Sequence, residues 1–287
     1  MGAESFIKKS RFIACIYGLF LFGSASWAMT PQVEGLGGAG RGGLPKEALF
    51  SNPAAVSMLR QNTAFLAYTQ TKLRDLKAGG KVQIAGIYDG SSDLAHGGIA
   101  YIRESRRVSL GSGTTYADST KIRTVIGREL FSGLQMGIKT NYTIQRTSGV
   151  TTKYFYGDAG FLYPLFAELP LGLTVENVMD KAEERPRTIY AGLRYDIDGP
   201  LDLYGDIGKS VSSRKSQGTP WAIGLEVKFF DELFFRGGLF RDAAIGARGW
   251  AAGLSWLSPR TAFEYALRRS TSIPRQTDHN LGVSVIF

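Results

Sequence analysis

The sequence has 287 residues, of which 44% are hydrophobic and 21% are charged, a balance that excludes a polytopic helical membrane protein. One cysteine and two histidines exclude a disulfide framework and a cysteine metal cluster and disfavour a histidine-rich metal site, so no cofactor is expected. The formal net charge of +9 would suit nucleic acid only if the cations formed one accessible patch.

The first 28 residues have the composition of a secretory signal peptide. A basic start precedes the apolar run 12–22, which is too short to span a bilayer, and a small-residue cleavage site ends at Ala28. Cleavage there leaves Met29 first and removes the only cysteine, Cys15. Lipid attachment at Cys15 is the alternative, but almost no apolar run precedes that residue. The sequence therefore predicts export.

The remaining chain reads as a series of strands, because apolar and polar residues alternate with a period of two. At the carboxyl end, Leu281, Val283 and Val285 alternate with Gly282 and Ser284. One face of each strand is therefore apolar, and the other carries charges and glycines. The same alternation occurs in segments 133–145, 187–197, 201–209, 221–229, 248–256 and 261–269.

Alternating strands can form a secreted sandwich or a transmembrane barrel whose apolar face meets lipid. Two features favour the barrel: connections of alternating length, and aromatic residues at the strand ends. Short turns are predicted near 90–93, 131–133, 166–169, 198–200, 230–232 and 258–260. Longer loops are predicted near 72–78, 106–118, 148–152, 179–186, 212–218, 241–247 and 271–277. The interfacial aromatic residues are Tyr88, Phe131, Tyr163, Trp221, Phe229, Phe230, Trp250 and Trp256.

The fold class is thus all-β, with an antiparallel transmembrane barrel over residues 62–287. Spanning strands need about 9–11 residues each, and the segments found give fourteen strands. Twelve strands remain the alternative, because the run 153–178 is hard to divide.

A glycine-rich segment separates the signal peptide from the first strand. Its residues Gly35, Gly37 and Gly40 match the dinucleotide-binding spacing G-x-G-x-x-G, and Gly38 lies between them. That motif requires a preceding strand and a βαβ unit, and neither is present in the sequence. The alternative is a tight backbone passage where side chains do not fit.

Two short helices are expected after the glycines. Residues 45–50 form the first. Asn52 is the expected N-cap of the second, with Pro53 in the first helical position and Ala54 beginning the run to residue 59.

The glycine-rich run followed by the segment Ala48–Ala55 resembles the start of the FadL-like superfamily of outer-membrane barrels, which includes long-chain fatty-acid transporters and a PorV-like branch. That resemblance implies a fourteen-stranded barrel with residues 29–61 as an amino-terminal hatch. It also implies that Gly35 to Ala54 contain the gate, and that small hydrophobic compounds pass across or into the outer membrane. The alternatives are a PorV-like scaffold or shuttle that binds proteins, and a plugged structural barrel. The brief loops depart from the family.

The terminal Phe287 resembles the assembly signature of outer-membrane barrels, which implies the barrel-assembly machinery as a partner. Enzymatic activity is not expected. His279 and His96 have no serine at the spacing of the outer-membrane phospholipase motif, so neither has an obvious nucleophile.

Strand parity predicts which charged side chains face the lumen. They carry both signs, which indicates either an internal network of ion pairs or a polar pathway for solutes. The predicted lumen residues are Lys139, Asn141, Glu176, Arg194, Asp202, Tyr204, Asp206, Glu226, Lys228, Arg236, Glu264 and Arg268.

The excess cations are expected in the outer loops and rim, where they would meet lipid and lipopolysaccharide phosphates. Nucleic acid is not expected, because the aromatic residues belong to strands and do not alternate with the cations. The cations are Lys72, Arg74, Lys77, Arg106, Arg107, Lys181, Arg185, Arg187, Arg214, Lys215, Arg241 and Arg275.

Overall fold

A computed structural model describes residues 29–74, 78–110, 113–147, 149–179, 186–197, 199–211, 218–243, 246–272 and 275–287. The predicted signal peptide, 1–28, lies outside the described residues. Fourteen antiparallel strands form a closed barrel in which each strand pairs with its neighbours in sequence and β1 pairs with β14. This confirms the predicted barrel and its strand number, and it divides the ambiguous run at Phe166 and Leu169. The strands are β1 (Thr63–Leu73), β2 (Ala78–Asp89), β3 (His96–Leu110), β4 (Gly113–Phe131), β5 (Leu134–Thr147), β6 (Val150–Phe166), β7 (Leu169–Glu176), β8 (Thr188–Ile197), β9 (Leu201–Ser210), β10 (Trp221–Phe229), β11 (Leu233–Asp242), β12 (Ala247–Leu257), β13 (Thr261–Ser270) and β14 (Gln276–Ile286).

The alternation of side chains sorts residues between lipid and lumen. In β10, Ile223 and Leu225 are exposed on the outer face, whereas Ala222 and Glu226 are buried inside. A closed ladder satisfies the backbone groups of every strand, which a bilayer requires. The outer face is therefore mainly apolar. The inner face carries polar residues together with an apolar cluster that packs against residues 48–59 and includes Phe65, Val82 and Ile102.

Both ends of the barrel sequence lie at one rim, where Thr63 of β1 pairs with Ile286 of β14. The Phe287 backbone N–H extends this pairing, since it donates a hydrogen bond to the Asn62 carbonyl over 3.0 Å. The six predicted short turns lie at the same rim, which by the usual orientation of bacterial barrels is the periplasmic rim. The opposite end is the extracellular rim.

The predicted loop 106–118 is wrong. Strands β3 and β4 remain paired as far as Leu110 and Gly113, and β6 likewise begins at Val150 inside the predicted loop 148–152. Polar residues in these segments indicated loops, but a paired hairpin can extend beyond the membrane with polar side chains on both faces. Connections at the extracellular rim are therefore long mainly after β7 and β9.

Tyr88 is not an interfacial residue, contrary to the sequence prediction. Its side chain is buried inside the barrel, where it stacks on Phe65 with ring centroids 5.3 Å apart. Its hydroxyl accepts a hydrogen bond from the Leu49 N–H over 3.2 Å. Strand parity places position 88 on the inner face, and proximity to a strand end did not reveal this.

Residues 29–61 lie inside the barrel, and we refer to them as the hatch. They form a short helix, α1 (Pro31–Gly35), and two 3-10 helices, Pro45–Glu47 and Pro53–Met58. The first 3-10 helix is shorter than the predicted 45–50, and turns complete the segment because Phe50 and Ser51 donate to the Glu47 carbonyl. No helix in the described part of the chain is long and apolar enough to cross a membrane.

A charge on the lipid face should destabilise the barrel. Leu225→Arg, at an outward position in the middle of β10, should lower the free energy of unfolding by about 2–4 kcal/mol, because arginine at the bilayer midplane loses its hydration. Denaturant titration in lipid vesicles measures this. Phe230→Arg is the matched control in the turn after β10, with an expected cost of about 0–1 kcal/mol. Equal costs at both positions would contradict the assigned depth.

Phe287 remains the predicted assembly signal. Deleting it, or replacing it with Asp, should lower the yield of the heat-modifiable barrel on gels and increase degradation in the periplasm. Phe287→Tyr is the control, since it keeps an aromatic terminus. A normal yield of folded barrel from the Phe287→Asp variant would show that this residue has no such role.

Candidate functional site: the hatch in the barrel lumen

Nine inward-facing glycines of the wall surround the hatch, and we call them the glycine belt. They occupy nine of the fourteen strands, at positions where hatch atoms lie against the sheet. The belt consists of Gly127, Gly137, Gly160, Gly172, Gly192, Gly224, Gly238, Gly253 and Gly282.

The belt is glycine because the hatch backbone occupies the space of its side chains. A Cβ at Gly172 would overlap the Arg41 carbonyl, and one at Gly137 would overlap the Pro53 backbone. A Cβ at Gly224 would lie 2.9 Å from the Cβ of Leu36. Backbone atoms cannot move aside as a flexible side chain can, so the hatch fits only where the wall lacks side chains.

The glycine run of the hatch turns sharply inside the lumen. Gly37 and Gly38 have φ of 71° and 96°, which L-residues with a side chain rarely adopt. Gly35 lies against Gly253 of the wall. The run is not a passage of backbone alone, because the side chains of Leu36 and Arg41 are buried within it.

Asn52 joins three parts of the structure. Its Oδ1 accepts a hydrogen bond from the Ala54 N–H over 3.0 Å, so it caps the helix that Pro53 begins. Its Nδ2 donates to the Arg41 carbonyl over 3.0 Å and to the Phe161 carbonyl of β6 over 2.9 Å. One buried side chain therefore fixes the second 3-10 helix to the glycine run and to the wall.

Arg41 connects the hatch to two strands. Its guanidinium donates to Glu176 over 2.6 Å and to Asp206 over 3.1 Å, and it stacks on the ring of Tyr190 at 3.8 Å. The backbone N–H groups of Gly40 and Arg41 also donate to Asp206. We call Arg41, Glu176 and Asp206 the Arg41 latch. All three are buried, so their interaction is little weakened by water.

A second network lies nearer the periplasmic rim. Arg236 forms an ion pair with Glu226, donates to Ser255, and approaches Glu264 at 3.8 Å. Across the lumen, Lys139 forms an ion pair with Asp158 at 3.2 Å. Lys139 also donates to the Ser51 carbonyl of the hatch over 3.3 Å.

Most of the predicted lumen residues lie inside the barrel. Lys139, Asn141, Glu176, Tyr204, Asp206, Glu226 and Arg236 are buried, and Arg194, Asp202, Glu264 and Arg268 are half-buried. Lys228 faces the predicted side but is 44% exposed at the periplasmic rim, where it forms an ion pair with Asp231. Strand parity predicts which face of the strand a side chain is on, but not how far along the barrel axis it lies. Lys228 was therefore predicted in the lumen although it lies at the rim.

Several buried charges of the site were not predicted, namely Glu34, Arg41, Glu47, Arg123 and Asp158. Three belong to the hatch, for which strand parity offers no rule. Arg41 had a signal in the sequence, since it is the one charged residue within the glycine run 35–43.

The hatch separates two cavities. The extracellular one measures about 40 Å³ and is lined by Arg41, Tyr190, Trp221, Phe240 and other residues. The periplasmic one measures about 350 Å³ and includes Arg60 and Phe234 in its lining. Hatch residues line both cavities, so the hatch lies between them.

Cavities lie on both sides of the barrel wall at Ala67 of β1 and Gly282 of β14, which pair directly. A small cavity of about 20 Å³ adjoins them on the inside, next to Pro31 of the hatch. A shallow apolar groove of about 510 Å³ adjoins the same two residues on the outside. We call it the outer groove; its lining includes Leu66, Tyr68, Gln83, Ala85, Tyr101, Phe263, Leu281 and Val283.

The two histidines contribute structural contacts. His96 shares a hydrogen bond of 2.9 Å with the Ser57 carbonyl of the hatch. His279 shares one of 2.9 Å with the Tyr265 hydroxyl on the outer face. Within the described ranges, no group of three or more His, Cys, Asp or Glu residues could hold a metal ion.

Two hatch carboxyls have raised pKa values. Burial, with the nearby charge of Asp278, raises the pKa of Glu34 to about 8, although Arg268 and the Asn280 amide oppose the shift. Burial likewise raises the pKa of Glu47 to about 8, and Glu264 adds to the effect, whereas Arg236 and Lys46 oppose it. Both carboxyls therefore retain their protons in the seated hatch at neutral pH.

The hatch should be held less strongly in the barrel lumen as the pH rises. A raised acid pKa means that the seated state binds the proton more tightly than the released state, whose carboxyls titrate near 4.5. The contribution of these two carboxyls to the stability of the seated hatch is therefore fully present below about pH 4.5, and it is lost as the pH rises towards 8. Conductance in planar bilayers should increase over that range. Glu34→Gln with Glu47→Gln should remove the dependence, and an unchanged pH profile in this variant would contradict the assignment.

Comparison with known proteins places this geometry in a known fold. No family model matches the sequence, and no curated protein matches it. Among solved structures, the chain is similar to the CymD monoaromatic hydrocarbon channel, with 12% identity, a TM-score of 0.72, and 90% of this chain and 97% of that chain covered. It is similar to the Ralstonia pickettii toluene transporter TbuX, with 11% identity, a TM-score of 0.71, and 92% and 99% covered.

A Pseudomonas aeruginosa FadL homologue is also similar, with 12% identity, a TM-score of 0.61, and 90% of this chain and 98% of that chain covered. These structures confirm the fold that the glycine run and the Asn52 motif predicted by resemblance. The chain has the fold of the FadL-family outer-membrane hydrocarbon transporters, a closed fourteen-stranded barrel.

Proposed function

We propose that this protein is an outer-membrane channel for small hydrophobic compounds, with the hatch as its plug. The observation that carries the proposal is a segment that lies in the lumen between two cavities and takes no part in the strand ladder of the wall. The Arg41 latch and apolar packing against inward-facing residues such as Val82 and Ile102 hold it there. Because the wall closes through strand pairing alone, the hatch can leave its place without unfolding the wall.

Two observations support the proposed class of solute: the described substrates of channels with this fold, and the cavities beside one part of the barrel wall. Solved channels of this fold are described as toluene transporters and monoaromatic hydrocarbon channels. In this protein, the outer groove and the inner cavity lie on opposite sides of Ala67 and Gly282. An apolar solute that crossed the wall there would have lipid as its most favourable destination. We therefore propose monoaromatic hydrocarbons as the first solutes to test.

The experiment measures uptake of radiolabelled toluene into vesicles whose outer leaflet is lipopolysaccharide, since that leaflet slows apolar solutes. Arg41→Met, which breaks the Arg41 latch, should loosen the plug and increase the rate of toluene uptake.

Arg194→Met is the matched control, because Arg194 pairs with Asp202 of the wall and not with the hatch, and it should leave the rate of uptake unchanged. Uptake by the unmodified protein no faster than by empty vesicles would overturn the proposal. Recovery of a stoichiometric protein partner from membranes would then favour the PorV-like scaffold.

A further inference from the structure

A group of cations lies on the outer face of the barrel near the extracellular rim. Five side chains form it, and we call them the cation patch: Lys72, Lys81, Arg103, Arg107 and Arg269. Each is exposed, and each alternates along its strand with inward-facing neighbours. The patch therefore faces away from the lumen and has no part in the lining of the proposed channel.

Strand register brings the patch together. Arg269 and Lys72 both pair with Thr277, and Lys72 and Arg107 both pair with Gly79. Three cations thus lie at one level of β13, β1 and β3, with about 10 Å between successive members, because neighbouring strands are about 4.8 Å apart. Lys81 and Arg103 lie slightly closer to the membrane centre on β2 and β3.

The patch carries more positive charge than the described residues around it balance. In the extracellular half of β13, β14, β1, β2 and β3, none of the described outward-facing residues is Asp or Glu. Glu104 is near in sequence, but it is buried on the inner face, where it forms an ion pair with Lys121. On β4, the exposed Asp118 pairs with Ser105, between Arg103 and Arg107. One carboxylate leaves the five cations with an excess of positive charge, so an external anion would stabilise them.

The outer groove begins directly beside the patch. Gln83 lines the groove and pairs with Arg103, and Tyr68 lines it and pairs with Gln83. The apolar lining then continues towards the membrane centre through Leu66 and Val283, which pair with each other. The cation patch and the apolar outer groove therefore form one continuous surface.

We infer that this surface is a binding site for lipid A, the phosphorylated and acylated glycolipid of the outer leaflet. Its phosphates would accept hydrogen bonds from the arginines and lysines of the patch, which suit phosphate geometry and charge. One of its acyl chains would occupy the outer groove. The extracellular rim is the end of the barrel that this leaflet surrounds.

The test uses the full-length protein in nanodiscs of phosphatidylethanolamine and measures retained lipid A by native mass spectrometry. Bis-phosphorylated lipid A should bind saturably, and dephosphorylated lipid A and phosphatidylglycerol should bind far more weakly. Equal binding of phosphatidylglycerol would overturn the assignment, since the patch would then attract any anionic lipid. Equal binding of dephosphorylated lipid A would also overturn it. Both comparisons use the unmodified protein.

Variants then locate the site. Replacing Lys72, Lys81, Arg103 and Arg107 with Gln should weaken lipid A binding by at least about a hundredfold, from roughly a fivefold loss for each charge. The control removes the same number of outward cations elsewhere on the barrel. It replaces Arg146, Lys153, Lys209 and Arg248 with Gln and should bind lipid A as the unmodified protein does. Equal losses in the two variants would overturn the location.

Ala85→Trp tests the acyl contact separately, because it fills the outer groove and leaves every cation in place. Lipid A with its full set of acyl chains should bind this variant at least tenfold more weakly than the unmodified protein, since an apolar chain would lose its buried surface. Unchanged affinity would contradict the placement of a chain in the groove. Heat-modifiability on gels establishes that each variant is folded.

Discussion

Deleting residues 31–59 is expected to turn the closed barrel into an open pore. These residues separate the extracellular and periplasmic cavities, so their removal leaves a continuous lumen lined by charged side chains. Single-channel conductance in planar bilayers should rise from near zero to a stable open level. The ladder that closes the wall involves only strands, and the deleted chain should therefore still fold.

Arg60→Gln is the matched control for this deletion. Arg60 lies at the end of the hatch, and among the described residues its side chain donates to the nearby Ser57 and Leu59 carbonyls, so the variant should stay closed. A deleted barrel that folds normally but shows negligible conductance would indicate that strand side chains close the lumen. The transport proposal would then be withdrawn in favour of the scaffold.

Replacing Arg41 with Met is expected to have the largest effect of any single substitution in the hatch. It leaves the carboxylates of Glu176 and Asp206 buried without their cation. Breaking a buried ion pair in this way costs about 3–5 kcal/mol. The hatch should therefore leave its seat often, which would appear as bursts of conductance and as faster proteolysis of the hatch.

A charge-neutral combination separates the loss of the latch from a general loss of packing. Arg41→Met with Glu176→Gln and Asp206→Asn removes the unpaired charges and should restore most of the closed time. Arg194→Met is the control, because Arg194 pairs with Asp202 at a partly exposed position, where an ion pair is worth about 0–1 kcal/mol. Bursts equally frequent in both single variants would contradict the role of the latch.

The fold could be predicted from the sequence because a period of two in hydrophobicity determines the two faces of a strand. Strand boundaries in polar hairpins could not be predicted from the sequence, since the loop expected at 106–118 is paired backbone. The polarity of a segment indicates whether it contacts water or lipid. It does not indicate whether a segment in water is a strand or a loop. The Tyr88 error has the same origin, as closeness to a strand end says nothing about the face.

The candidate site was predictable only in part. Parity identified Glu176 and Asp206 as inward-facing, and the glycine run identified the hatch. Neither could show that Arg41 joins two strands that are not neighbours, because such contacts depend on how a non-repetitive segment crosses the lumen. The glycines of the inner face could be read from the sequence. That they all make room for the hatch can be seen only when the path of the hatch through the lumen is known.

The glycine belt also sets an order of events during biogenesis. Its members are distributed from β4 to β14, so the complementary surface does not exist until nearly the whole wall has been assembled. The hatch precedes the wall in the sequence, yet we expect it to be among the last segments to reach its final position. Until then it has no partner for its buried charges, and the nascent barrel passes through a stage in which its interior is open to water.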